Sequence, residues 1–210
     1  LPGAMPSYSP GGNRIFFSNS SAGGVWVVSS HGSDQGLFEI SRNGWGSDWS
    51  TDGRMVYATS TAGGANLAVF NPVEGATDLL FDVAKTPYRQ IFWNMAWSPD
   101  GKRVVFKAVT TAGKQEVGII DARGEKFGFI RRFEGEILAS FAWSPLENRI
   151  LFIKQDPVTR HNQIYFVDPD SKDPPRLLPV LDELRNYSDI AYSPDGKRIV
   201  FSCSKRTSFE

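Results

Sequence analysis

The ten residues Trp97–Phe106, WSPDGKRVVF, recur through this chain as YSPGGNRIFF from Tyr8, WSTDGRMVYA from Trp49, WSPLENRILF from Trp143 and YSPDGKRIVF from Tyr192. An internal repeat constrains architecture before any local assignment does, because each unit has to bury its apolar surface on its neighbours. The opening aromatics stand at 8, 49, 97, 143 and 192, a spacing within the range of propeller blades and wider than a helical-pair repeat needs. The fold class predicted is all-β: a β-propeller of four-stranded blades, with about four and a half blades present.

Each copy reads as a tight hairpin. Pro99 presets φ at the first central position of a turn, Asp100 can bond the backbone two residues on, and Gly101 accepts the positive φ of the return. A short strand ending in an aromatic precedes the turn. A polar pair, Lys102 and Arg103, follows it and leads into the β-branched and aromatic run Val104, Val105, Phe106, which reads as a buried strand. The residue before the aromatic is small in four copies, Ser7, Ala96, Ala142 and Ala191, and is Asp48 in the fifth. Side chains alternate along a strand, so large and small residues face opposite ways, as blades that pack radially on both sides require.

Taken in order, the strands group into blades at about 5–40, 45–82, 93–133, 138–180 and 187–210 in one domain. Innermost strands are predicted at Met5–Tyr8, Ser47–Ser50, Trp93–Trp97, Leu138–Trp143 and Asp189–Tyr192. The fifth blade has two strands before the sequence ends, so the chain reads as part of a longer, open ring. Apolar faces are then expected to be exposed at Ile15 and Phe16 at one end and at Ile199 and Phe201 at the other.

Composition matters where it excludes partners. Lys plus Arg and Asp plus Glu are 23 each, so no net field draws the chain to nucleic acid or to an anionic membrane. No apolar run approaches the length of a membrane span, and the N-terminus carries no basic-then-apolar leader signal. Cys203 is the single cysteine, which rules out an intramolecular disulfide and leaves the compartment open.

Five copies of an aromatic followed by SPDG or a near relative, two polar residues and a hydrophobic strand resemble the WD-like repeats of the TolB propeller family, over essentially the whole chain. The resemblance implies a six-bladed ring without catalytic activity. It also implies protein or peptide partners and a periplasmic or otherwise envelope-associated location in a bacterium. The sequence lacks the family's small N-terminal α/β domain. The same repeats occur in propellers that gate prolyl oligopeptidase-type hydrolases, so a substrate-gating propeller of a larger hydrolase is the alternative.

Chemistry-bearing motifs are sparse. No serine sits in a GxSxG elbow. His31 and His161 fall in loops, predicted to be solvated, without metal-ligand spacing. The Gly-Lys pairs at Gly101, Gly113 and Gly196 lack the spacing of a phosphate-binding loop. Asp168, Asp170 and Asp173 lack the glycine and terminal glutamate of a calcium loop. No catalytic residue, cofactor or metal is therefore predicted. The candidate binding residues are positional, at the mouth where each innermost strand begins: Asn43, Trp45, Asp48, Tyr88, Arg89, Trp93, Asn94, Arg185, Tyr187 and Asp189, with Glu134, Glu136 and Asn186 on the same rim. Aromatics, arginine, amides and carboxylates are enriched at such interfaces.

Overall fold

A computed structural model describes residues 3–32, 36–122, 128–135, 137–179 and 185–205, and these residues form antiparallel sheets without a helix. Blade one is β1 (Gly3–Tyr8), β2 (Arg14–Asn19), β3 (Val25–Ser29) and β4 (Phe38–Ser41), paired in that order. Blade two is β5 (Gly44–Trp49), β6 (Met55–Thr61), β7 (Gly64–Asn71) and β8 (Ala76–Leu79). Blade three has a divided inner strand, β9 (Tyr88–Ile91) and β10 (Ala96–Trp97), both paired to β11 (Arg103–Thr110). Its outer strands are β12 (Gln115–Asp121) and β13 (Gly128–Glu134). Blade four is β14 (Ile137–Trp143), β15 (Ile150–Gln155), β16 (Asn162–Val167) and β17 (Arg176–Leu177), and β18 (Arg185–Tyr192) with β19 (Ile199–Lys205) forms a two-stranded fifth sheet. An antiparallel bridge between Ala65 and Tyr88 joins blades two and three into one nine-stranded sheet.

The turns form as their residues dictate. In SPDG, Ser98 Oγ donates to Asp100 Oδ1 and accepts from the Arg103 N–H, while the Gly101 N–H donates to the Ser98 carbonyl. The same network recurs at Ser50, Asp52 and Gly53 and at Ser193, Asp195 and Gly196. Gly101 and Gly196 have φ of +66° and +67°, a region that a Cβ makes costly.

Alternation gives each blade two distinct faces. The leading face carries the repeat aromatic and packs on the blade before it; the trailing face carries the small residue and packs on the blade after it. Phe16, Val25 and Val27 on the trailing face of blade one meet Met55, Tyr57 and Trp49 of blade two. Val56, Ala58 and Leu67 meet Trp97, Val104 and Phe106. Val105 and Ile119 meet Trp143, Ile150 and Phe152, and Ala142, Leu151 and Ile153 meet Tyr187, Tyr192 and Ile199.

This polarity corrects the expectation for the end blades. Phe16 is fully buried because it faces blade two, and Ile199 packs on blade four. The residues left open are those of the opposite parity: Tyr8, 64% exposed, on blade one and Val200, 68% exposed, on the fifth sheet. Phe201 shares the face of Ile199, opposite Ile190, and is nonetheless 38% exposed, as expected.

Candidate functional site

Every innermost strand begins earlier than its sequence predicts and carries an irregularity. The register slips between Ala4 and Ser7, between Trp45 and Asp48, between Ile137 and Phe141 and between Tyr187 and Ile190. In blade three the strand breaks outright over Phe92–Met95. An extra residue in one strand bends it and re-aims side chains, and here the bulges turn residues of five blades into one central space.

The bulges nest on one another. Met5 holds φ at +54°, uncommon for a residue with a side chain, and its carbonyl accepts from Ser47 Oγ at 2.8 Å. Gly46 has φ of +66°, and its N–H donates to Ser18 Oγ at 2.8 Å. A Cβ on Gly46 would lie 2.7 Å from the backbone of Trp93, so the close approach of blades two and three at the channel requires glycine.

The resulting cavity is about 480 Å³. Blade one contributes Met5 and Pro6, blade two Ser47, blade four Phe141 and the fifth sheet Asp189; the broken strand of blade three supplies Phe92, Trp93, Asn94 and Met95, with Lys107 beside them. Trp93 is 54% exposed, its indole edge-on to Phe92. Lys107 Nζ stands 4.3 Å from the centre of the Phe92 ring. Asp189 accepts from Ser202 Oγ at 3.0 Å. Asn94 Oδ1 is buried with no hydrogen-bond partner, a costly state for an amide oxygen. The set can bind: an aromatic platform, a cation, a carboxylate and an unsatisfied acceptor converge from different blades.

Of the residues predicted for the mouth, Trp93, Asn94 and Asp189 line this cavity. Others serve packing, because the strand has already begun where they stand. Trp45 packs into the core between blades two and three and donates its indole N–H to the Ile91 carbonyl at 2.8 Å. Tyr88 is fully buried and donates to Glu116 Oε1 at 2.5 Å, and Arg132 grips the same carboxylate from the outer strand. Burial, then the Glu116 carboxylate, push the Tyr88 phenol well above its ordinary range. Tyr187 is buried against blade four. The Arg185 carbonyl accepts from Gln163 Nε2 and Asn186 Oδ1 accepts from the Asn162 N–H, so both fasten the fifth sheet to blade four. Asn43 and Arg89 are exposed away from the cavity, and Glu134 pairs with Lys114 on the outer strand of blade three. Glu136 lies outside the described residues.

Asp48 has a structural part. Its Oδ1 accepts from Ser7 Oγ at 3.0 Å and its Oδ2 from the Trp97 N–H at 2.7 Å, while Ser7 Oγ accepts from the Trp49 N–H. One carboxylate thus ties blades one, two and three. Burial pushes its carboxyl up to about 6, against the hydrogen bonds from Trp97, Ser7 and Trp49 that hold it down.

Met5, Pro6, Ser47, Phe92, Met95, Lys107 and Phe141 are cavity residues that sequence reasoning missed. The local signals for them were Pro6 and Gly46, which inside a strand mark a bulge or a close approach. A larger cleft of about 720 Å³ opens between blades one and two on the side of the turns, lined in part by Phe38, Trp49 and Val73. It is built by two blades, whereas the channel cavity gathers all five. His31 is exposed as predicted; His161 is half-buried, with Nδ1 unpartnered. The Asp168 to Asp173 segment is a loop whose carbonyls Arg131 holds. Among the described residues no group of His, Cys, Asp or Glu is placed to hold a metal ion, and no helix is long and apolar enough to cross a membrane.

No protein-family model and no curated protein matches the chain. Solved structures do. TolB from Acinetobacter baumannii is 15% identical with a TM-score of 0.66, over 84% of this chain and 43% of that one. The chain has a TolB-like β-propeller fold. An oligogalacturonate lyase in complex with manganese is 13% identical with a TM-score of 0.71, over 97% of this chain and 59% of the lyase. The propeller domain of the Trilobed protease from Pyrococcus furiosus, described as having an open velcro topology, is 13% identical with a TM-score of 0.55, over 97% and 78%. The chain spans about half the length of TolB and of the lyase.

Proposed function

We propose that this chain is a non-catalytic interaction scaffold that binds a protein or peptide at its channel, and that it works in the bacterial cell envelope, on the periplasmic side. The channel cavity carries this reading. The inner strands of all five blades slip in register or break where they line it, and it holds an exposed Trp93 beside a buried Asn94 oxygen that lacks a donor. A peptide backbone offers N–H groups that satisfy such an acceptor, and an indole is a common anchor of protein interfaces. The likeness to TolB supports the envelope setting.

The test is selection of a random-peptide phage library on the chain. Enriched peptides are expected to lose at least about tenfold in affinity on Trp93→Ala and on Asn94→Leu, and to be unaffected by Phe38→Ser in the cleft between blades one and two. Peptides that track Phe38 and ignore Trp93 would sink the reading.

The likeness to the propeller domain of a protease favours a second reading, a substrate-gating propeller of a larger hydrolase. The two separate on the gene: a GxSxG elbow encoded beyond residue 210 supports gating. Neither reading places hydrolysis in these 210 residues. A panel of peptide and ester substrates should give no turnover, and turnover abolished by His31→Ala or His161→Ala would contradict both.

A further inference from the structure

The cleft between blades one and two owes its size to an arginine that does not cross it. The residue immediately before the second strand is Arg14 in blade one, Arg54 in blade two and Arg103 in blade three. Arg54 crosses to blade three. Its guanidinium lies 4.9 Å from the Trp97 ring and donates to the carbonyls of Gly101 and Ala122 at 2.6 and 2.9 Å, while the Asp52 carboxylate of its own turn holds it from behind. Arg103 reaches Asn148 and Asp170 of blade four, and the gap left on the turn side of that junction is about 210 Å³. Arg149 stays on blade four over Phe166, but there Pro145 and Leu146 close on the turn of the fifth sheet at Gly196. Arg14 stays on blade one, 6.0 Å from the Phe38 ring. The cause is local: Gly11 stands in the place of Asp52 and Asp100, so no carboxylate directs the guanidinium forward.

What Arg54 meets in blade three is present again in blade two, with no arginine of blade one upon it. By strand register Trp49, Gly53 and Pro72 correspond to Trp97, Gly101 and Ala122, and all three line the cleft. Among the described residues no hydrogen bond is made to the Gly53 or the Pro72 carbonyl. The turns do not meet either: a Cβ on Gly53 would find nothing within 4 Å, whereas one on Gly101 would meet Thr51. Val27, Phe70 and Val73 make the walls apolar, and Glu39 and Asp52 outnumber Arg14 on them. An apolar cleft of about 720 Å³ with a few placed polar groups has the size and lining of a small-molecule site. Trp49 Nε1 is buried without a partner, as is Trp97 Nε1, so that feature belongs to the repeat and not to the cleft.

We propose that this cleft is a second binding site, for a small molecule that carries a guanidinium on an apolar body. The guanidinium takes over Trp49 the place that Arg54 takes over Trp97, donating to the Gly53 and Pro72 carbonyls, and the body lies along Val27, Phe70 and Val73. A planar fork of N–H donors fits a pair of carbonyls beside an aromatic ring, and an ammonium is not its equivalent there. One such seat holds its ligand with a Kd of about 1 mM, too weakly to be retained when a peptide library is panned, so the site stands apart from peptide binding in the channel.

The probe is phenethylguanidine, titrated into the full 210-residue chain and followed by the indole N–H resonances, with that of Trp49 assigned by its loss in Trp49→Phe. The Trp49 resonance should shift with a Kd of about 1 mM, and phenethylamine and phenethylurea, which keep the body but lose the fork or the charge, should bind at least about tenfold more weakly. Gly11→Asp supplies the missing carboxylate at a position where a Cβ meets only Asn13, at 3.7 Å. Arg14 should then cross to blade two, and the probe should lose at least about tenfold in affinity with the chain still folded. Adding Arg14→Ala to Gly11→Asp should restore binding. Equal binding of the three compounds overturns the proposal, as does a folded Gly11→Asp chain that binds like wild type or a doubly substituted chain that does not bind. So does a probe that shifts the Trp93 resonance and leaves that of Trp49 in place.

Discussion

The junction between blades two and three and the wall of the channel are built from the same strands, yet they are built differently. At the junction the positions are those of the repeat: Trp97 on the leading face, Val56 and Ala58 on the trailing face, Arg54 over the turn, and Asp48 accepting the Trp97 N–H. At the channel the strands leave the repeat. Met5 and Pro6, Gly46 and Ser47, Phe92, Asn94 and Met95, and Asp189 have no identical residue at the same distance from the repeat aromatic of another blade; Trp93 stands where blade two has Trp45, but Trp45 packs in the core and Trp93 is exposed. Packing is carried by the positions that play the same part in every blade, and recognition is assigned to those whose residue or whose exposure differs from blade to blade.

If that division is right, substitutions in the two regions should fall into separate classes. The largest stability loss belongs to a repeat aromatic. Trp143→Ala removes a ring that fills the junction of blades three and four and donates to the Ala96 carbonyl at 3.1 Å, and should cost about 3–5 kcal/mol in urea unfolding. A variant that loses less than about 1 kcal/mol would break the comparison at once.

Next comes the turn. Gly196→Val forces a side chain at φ of +67° into Leu146 and Pro145, a cost of about 1–3 kcal/mol from backbone strain alone. Thermal unfolding measures it, and an unchanged midpoint with lost peptide binding would move the turn into the functional class.

Asp48 sharpens the boundary, because it was a candidate for the mouth and turned out to tie three blades. Its carboxyl takes up a proton near pH 6 in the folded chain and near 4 when unfolded. Between those values the folded state binds more protons, so this group's contribution to stability is present at low pH and is lost as pH rises through about 6. It amounts to about 1–3 kcal/mol. Asp48→Asn should remove that slope, and the difference between the two unfolding curves across pH 4 to pH 7 is the quantity to read; parallel curves would contradict the burial of this carboxylate.

The smallest stability effect is expected in the channel. Trp93→Ala should stay within about 0.5 kcal/mol of wild type, because more than half of the residue is in solvent and its ring contact is with Phe92 of its own blade.

The repeat was legible because its chemistry is local. A serine, an aspartate and a glycine close each SPDG turn within five residues, and the apolar run after it forms the strand its residues predict. The reach of Arg54 to Gly101 and Ala122 was not legible, since it depends on how close the next blade comes. The bulges were hidden for a related reason: a slipped register is settled by packing around the channel, and only Pro6 and Gly46 hinted at it. Trp93, Asn94 and Asp189 were found by position, while Tyr88 and Tyr187 were misplaced because an inner strand begins before the residues that reach the channel.

The most direct test of the division sets two tryptophans four residues apart against each other. Unfolding free energy and affinity for a library-selected peptide are measured on Trp93→Ala and Trp97→Ala in the same chain. Trp97 is 6% exposed and carries the junction under Arg54; its loss should cost about 3–5 kcal/mol. Trp93→Ala should keep its stability and lose the peptide. A Trp93→Ala chain that binds the peptide as well as wild type, or one that unfolds as readily as Trp97→Ala, would contradict the account.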